Sequence, residues 1–391
     1  MLRYNSVLLT APKIHDGIHW LPDGSVIETA DDSTIIAIHG AEKLSEATHY
    51  DGILAPGFVN VHCHLELSHM KGMIPEHTGL VPFLQQVMQH RFGFTDEQKT
   101  TAREQAFDEM LRNGIVAVGD ICNTNDTLPQ RASGQMHFHS FSEAIGFNEM
   151  PTKQFGYAVQ VYDAFAAQQS DTHILRQSIV PHAPYSVSYA LFKLINGHYA
   201  DSIVSIHNQE SAAEDELYIK KEGAVRTLLS SLGIDDAFFH PSGKSSLQTY
   251  MRWLDATHPL ILVHNTYTTE ADITAVQRLH EHVYWCLCPN ANMYIENRLP
   301  DINLLLRDAN NICIGTDSLS SNHQLSILAE LQTIKAQYPN IDWSTLLRWA
   351  TWNGARALQM QHVVGKIEEG KKPGIVQITD IDGTWNARRV I

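Results

Sequence analysis

Eight short apolar, β-rich runs recur along the chain, at 57–61, 115–120, 136–142, 175–180, 203–206, 260–263, 283–287 and 311–315. Stretches with helical spacing lie between most of them. Residues 97–112 place Ala102, Ala106 and Met110 on one face and stop at Gly114. Residues 189–195 read as another helix. So do 222–232, stopped by Gly233, and 270–280, opened by Thr268 and Thr269. Such alternation implies parallel strands, because each helix returns the chain to the start of the next strand. Eight units over about 300 residues suit a TIM-type (β/α)8 barrel; the competing arrangement is an open α/β sheet with more than one lobe.

The two ends read differently. Residues 1–56 carry strand-like pieces broken by Pro22-Asp23-Gly24 and Asp31-Asp32, with little helical pattern. Residues 363–391 do the same around Gly370-Lys371-Lys372-Pro373-Gly374. Chain termini often lie close together. The expected organisation is therefore a small β-sandwich made by 1–56 and 363–391, beside a catalytic α/β barrel of 57–362.

Composition narrows the function classes. A hydrophobic fraction of 43% supports a large buried core and argues against disorder. The net charge of −15 repels phosphate backbones and anionic lipid, so no nucleic-acid or membrane partner is expected. The longest apolar runs are far short of the ~20 residues of a membrane span. Met1-Leu2-Arg3-Tyr4-Asn5 lacks the apolar core of a signal peptide. Cys63, Cys122, Cys286, Cys288 and Cys313 sit in or beside strand-like runs and read as reduced thiols in a cytoplasmic protein.

The chemistry-bearing residues follow the runs. The first ends in His62-Cys63-His64. Side chains two apart on a strand share a face, so both imidazoles can meet one ion; alone, the pair could equally be two loop histidines. The fifth run leads to His207, with Glu210 three residues on, the sixth to His264 and the eighth to Thr316-Asp317-Ser318. A single histidine after a strand is usually structural. Four such strand ends become one site if a barrel gathers them at its C-terminal mouth.

This ordered pattern resembles the amidohydrolase superfamily, and within it the mononuclear deaminase branch. The likeness extends to His182-Ala183-Pro184-Tyr185-Ser186, Cys288-Pro289-Asn290-Ala291-Asn292 and Gly365-Lys366-Ile367. It implies one divalent metal ion, with zinc first and iron second, held by His62, His64, His207 and Asp317. The fourth run leads to Val180-Pro181-His182, without the bridging lysine of binuclear members, which favours a single ion. By the same resemblance Glu210 moves protons between water and substrate. His264 hydrogen-bonds the attacking water without holding the metal, and Asp317 doubles as ligand and proton acceptor. His182 and Tyr185 become substrate contacts. Taken apart from that setting, Glu210 is an ordinary glutamate opening a helix.

The implied reaction is hydrolytic deamination of an adenine-type nucleoside, releasing ammonia. The run His64-Leu65-Glu66-Leu67-Ser68 looks like the aminodeoxyfutalosine deaminases of menaquinone biosynthesis. Glu66 then either contacts substrate or supports a neighbour. Arg298, with Arg176 and Arg226 behind it, is the candidate clamp for the carboxylate such a substrate carries. S-adenosylhomocysteine or methylthioadenosine deamination, and iminohydrolase or chlorohydrolase chemistry, are the alternatives. A small-molecule substrate is the expected partner, with a homodimer expected from the family. Trp343, Trp349 and Trp352 read as packing faces, and 79–91 as a helix that packs or lids the site.

Overall fold

The computed structural model describes residues 6–198, 202–381 and 383–391. The first five residues, read above for a signal peptide and counted in the expected sandwich, lie outside them.

All eight expected runs are strands: β7 (Phe58–Cys63), β8 (Ile115–Cys122), β9 (His137–Ala144), β10 (Leu175–Pro181), β11 (Val204–Asn208), β12 (Leu260–His264), β13 (Val283–Leu287) and β14 (Ile312–Ile314). Six others precede them: β1 (Ser6–Thr10), β2 (Lys13–Ile14), β3 (Val26–Ala30), β4 (Ile35–His39), β5 (Thr48–His49) and β6 (Ile53–Pro56). β15 (Ile375–Ile381) and β16 (Thr384–Arg389) follow.

The pairings within β7–β14 are all parallel. Both faces of these strands are covered: β12 and β13 run apolar, while β9 alternates polar and apolar side chains and is buried throughout. Leu260 and Leu262 join one hydrophobic cluster, while Ile261 and Val263 join another. The helices between them have sequence-encoded ends. Asp96–Arg112 opens with a Thr95–Gln98 capping box, and Glu270–Gln277 with a Thr269–Asp272 box. Asn113 and Gly114 end the first; Gly114, at φ +80, takes a turn that other residues rarely adopt.

A single closed ladder is not what forms. Strands β10-β9-β8-β7 make one four-stranded sheet and β11-β12-β13-β14 a second. Two seams separate them, each bridged by isolated backbone bonds. The His207 amide donates to the His182 carbonyl at 2.9 Å. Across the other seam, the Thr316 and Asp317 amides donate to the His62 carbonyl at 3.0 and 3.1 Å. At the second seam β14 is three residues long; the Gly315 amide still donates to the Leu287 carbonyl of β13, and Asp317, at φ 57°, then takes the chain away. The Thr316 and Asp317 amides therefore reach one carbonyl of β7 instead of pairing along it.

The terminal segments form two further four-stranded sheets, ordered β4-β3-β1-β5 and β16-β15-β6-β2. Leu9, Ile27 and Ile35 of the first pack with Ile14, Leu54 and Ile375 of the second. Val376 and Ile378 of β15 instead join the large core with Phe58 and Ile115. Trp343 packs on Trp385 at 4.6 Å, Trp349 is buried in the main core, and Lys371 lies 5.1 Å over Trp352.

Candidate metal and active site

The two strand halves bring their C-terminal ends together around one buried cluster. The Nε2 of His64 lies 3.2 Å from the Nε2 of His62 and 3.2 Å from that of His207. The Oδ1 of Asp317 is 3.3 Å from His64 and 3.5 Å from His62. A single proton on His64 can serve only one of these three neighbours. Burial lowers the pKa of His62 and His207 and takes His64 down to about 3, so the imidazoles keep their lone pairs. Burial alone would raise the Asp317 carboxyl. The hydrogen bond from His62 and the neighbouring His64 and His264 outweigh it and hold the group below the usual carboxylate range. Imidazole nitrogens and one carboxylate oxygen converging this closely fit a divalent ion such as Zn²⁺ or Fe²⁺.

Orientation comes from the surrounding chain. The Nδ1 of His207 bonds the His182 carbonyl at 2.7 Å, which directs the Nε2 lone pair at the cluster. Ser321 donates to the second oxygen of Asp317 at 2.5 Å. Gln209, His264, Asn265 and Asp317 all have positive φ, at 44°, 73°, 59° and 57°. These non-glycine residues hold a disfavoured backbone at the ends of β11, β12 and β14, where such strain commonly marks function.

His264 enters the cluster more closely than expected. One of its ring nitrogens and the donor atoms of His62, His207 and Asp317 all lie within 4.8 Å of one another. Its Nδ1 donates to the Asn292 side-chain oxygen at 2.8 Å, leaving Nε2 without a hydrogen-bond partner among the described residues. That nitrogen faces the Glu210 carboxyl at 3.6 Å. Glu210 is 6% exposed, and burial pushes its pKa up to about 7. A second ligand-type group, Glu143, His182 and His207, shares a residue with the first. There the Nδ1 of His207 is already bonded to a carbonyl.

His64, His207, Glu210, His264 and Asp317 form one end of a cavity of about 580 Å³. Its walls are apolar. Leu80, Phe83 and Val87 come from the helix Leu80–His90, and Val225, Leu228 and Leu229 from Gly223–Ser231. His182 and Tyr185 line it too, with the His182 Nδ1 2.6 Å from Ser186. Glu66 lines it, but one of its oxygens already accepts from the amides of Asn123 and Thr124 and from the Thr124 hydroxyl, at 2.9–3.0 Å.

Arg298 is not among the lining residues. Asn297, at φ 49°, turns the chain after the helix Pro289–Glu296, and the Arg298 guanidinium lies 4.6 Å over the Tyr267 ring. Arg176 bonds the Gln359 carbonyl and Arg226 pairs with Asp236 at the surface, so neither lines the cavity. The arginine that does is Arg91, and sequence reasoning passed over it. Asn123 and Glu143 were passed over too. Glu143 is a carboxylate at the end of a strand, as Asp317 is just past one, but β9 alternates polar and apolar residues, which blunted the signal.

The Amidohydrolase family matches residues 53–391. An aminodeoxyfutalosine deaminase from Nitratiruptor is 27% identical over 369 residues, spanning 91% of this chain and 87% of its own. The crystal structure of Helicobacter pylori aminofutalosine deaminase with methylthio-coformycin superposes with a TM-score of 0.79. Its identity is 20%, covering 94% of this chain and 91% of that one. An adenosine deaminase from Xanthomonas campestris with bound zinc gives 0.72 at 23% identity, over 95% and 84%. These likenesses imply a TIM-barrel fold of mixed α/β content. With the family match over most of its length and the buried histidine–aspartate cluster in place, the chain belongs to the amidohydrolase family and is a hydrolase of carbon–nitrogen bonds.

Proposed function

We propose that the protein is a metal-dependent deaminase of an adenine-type nucleoside, and that aminodeoxyfutalosine, on the route to menaquinone, is its substrate. The observation that carries the reading is the pairing of Glu210 with His264 beside His62, His64, His207 and Asp317, in a largely apolar cavity. The Nitratiruptor relative supports the substrate, and the zinc-bound Xanthomonas structure supports zinc.

His62, His64, His207 and Asp317 would hold the ion. When bound, it acidifies water toward neutrality. The remaining steps belong to the chain. Glu210, whose burial favours the protonated carboxyl, gives its proton to the ring nitrogen beside the amine-bearing carbon. His264, its tautomer fixed by Asn292, offers the Nε2 lone pair to the attacking water. Asp317 shares that task. The water oxygen bonds to carbon and the carbon–amine bond breaks. One water proton leaves with the amine as ammonia, the other returns to Glu210, and a ring N–H and carbonyl remain. His182 and Tyr185 flank the ring.

Ammonia release by zinc-loaded protein tests this. The panel is aminodeoxyfutalosine, S-adenosylhomocysteine, methylthioadenosine, adenosine, guanine and formimino-glutamate, with Glu210→Gln as control. Release from aminodeoxyfutalosine, lost in the control, is expected. Release from another purine keeps the mechanism and discards the substrate. Activity on formimino-glutamate alone points to the iminohydrolase reading.

A further inference from the structure

We infer that Arg91 is the residue that selects substrates by charge, and that the nucleoside this cavity takes carries a carboxylate. The inference rests on the deaminase reading for the reacting end of the molecule and adds the recognition of its other end.

Among the described residues lining the cavity, Arg91 is the only arginine or lysine. Glu66, Glu143, Glu210, Asp235 and Asp317 supply carboxyl groups around it. Away from the histidine–aspartate cluster, Arg91 is therefore the one lining side chain among the described residues that offers an anionic group a fixed positive charge. Arg91 is fixed from behind. Its Nη2 donates to one oxygen of Glu66 at 3.3 Å, while backbone amides and the Thr124 hydroxyl hold the other oxygen. Glu66 cannot turn toward a substrate without giving up those three bonds, so it acts as the anchor of Arg91.

The guanidinium has five N–H donors, and this is the one side-chain bond it makes among the described residues. Its side chain is 21% exposed, and the guanidinium carbon lies 5.2 Å from the centroid of the Phe92 ring, a contact that uses the face of the group and none of its N–H donors. A carboxylate matches that planar fork with two parallel bonds, which a neutral ester or amide cannot do as strongly. Arg91 directly follows the helix Leu80–His90, whose Leu84, Val87 and Met88 line the adjoining wall. An aromatic or aliphatic spacer would lie along that wall with its carboxylate at Arg91.

The test compares aminodeoxyfutalosine with its methyl ester. With zinc-loaded wild type, kcat/KM should favour the acid by about 10- to 100-fold, mostly through KM, as a charge-assisted bond implies. In Arg91→Gln the ratio should fall to near one. It should survive in part in Arg91→Lys and fully in Arg298→Gln. The double variant Glu66→Gln/Arg91→Gln repeats the test without an unpaired buried carboxylate, in case Arg91→Gln does not fold. A ratio that persists without Arg91, or is absent in wild type, overturns the proposal.

If wild type releases ammonia from no nucleoside, the deaminase reading has failed and binding still decides the charge selection. Calorimetry with benzoate and benzamide on Glu210→Gln then serves. Binding of benzoate alone, lost on adding Arg91→Gln, supports the assignment; equal binding of the two, or of neither, overturns it.

Discussion

Glu210→Gln should make the metal-free protein more stable while it abolishes turnover. Burial raises the Glu210 carboxyl from 4.5 to about 7. Among the described residues no hydrogen bond stabilises its anion, and its nearest charged-type partner is His264 at 3.6 Å. A rise of that size corresponds to about 3 kcal/mol between the two protonation states. The sign follows from proton uptake. Between pH 4.5 and 7 the folded chain keeps a proton that the unfolded chain has lost, so stability falls as pH rises through that window. Below pH 4.5 both states are protonated and the group is neutral in its effect. Above pH 7 the whole cost is present. Glutamine has the same shape and no charge to desolvate. Urea unfolding of chelator-treated protein should therefore show the variant more stable by about 3 kcal/mol at pH 8, and equal to wild type near pH 4.5. Ammonia release by the metal-loaded variant should fall by about 10²- to 10⁴-fold, the usual weight of a proton-transferring group. A variant no more stable at pH 8, or one whose advantage persists at pH 4.5, would refute the burial argument.

Other perturbations read neighbouring parts of the site. Asn292→Ala removes the acceptor that fixes the His264 tautomer, so kcat should drop about 10- to 100-fold with KM little changed; steady-state kinetics decide it. Gly315→Ala would place a Cβ 2.8 Å from the Cβ of His62 and 2.9 Å from its carbonyl oxygen. It should lower stability by about 1–3 kcal/mol and weaken zinc binding, as seen by urea unfolding and metal titration. Dialysis against a chelator should stop ammonia release and lower the melting temperature, both restored by added zinc. A rate indifferent to the chelator would count against the cluster as a metal site.

Most of the barrel-type strands were legible as short, largely apolar runs, which is what burial on both faces favours; β9, which alternates polar and apolar residues, is buried all the same. The gathering of His62, His64, His207 and Asp317 was legible for a related reason: polar ligand types directly after such runs must share one rim if the strands are parallel. The seams were not. Whether β14 continues along β7 depends on where the backbone leaves the strand, here at Asp317 with φ 57°, and a three-residue strand carries no periodicity that reports it. The closeness of His264 to His62, His207 and Asp317 was not legible, since residue spacing does not report a backbone with φ of 73°.

Arg91 and Arg298 show where a sequence pattern stops being informative. Both follow helices of the cavity region, both can bind carboxylates, and nothing in their neighbours' hydropathy separates them. The difference is made by backbone conformation and by a remote partner. After Glu296 the left-handed Asn297 diverts the chain, and the guanidinium that follows settles on Tyr267. After His90 the backbone stays in the right-handed helical region, and Glu66, 25 positions earlier, fixes the Arg91 guanidinium at the cavity wall. Glu66 itself is set by the amides of Asn123 and Thr124 beyond β8. Three segments that are separate in sequence thus set one cation, and only the strand order brings them together. Residue type limited the clamp to a handful of arginines. The choice among them required the contacts that hold Glu66 still.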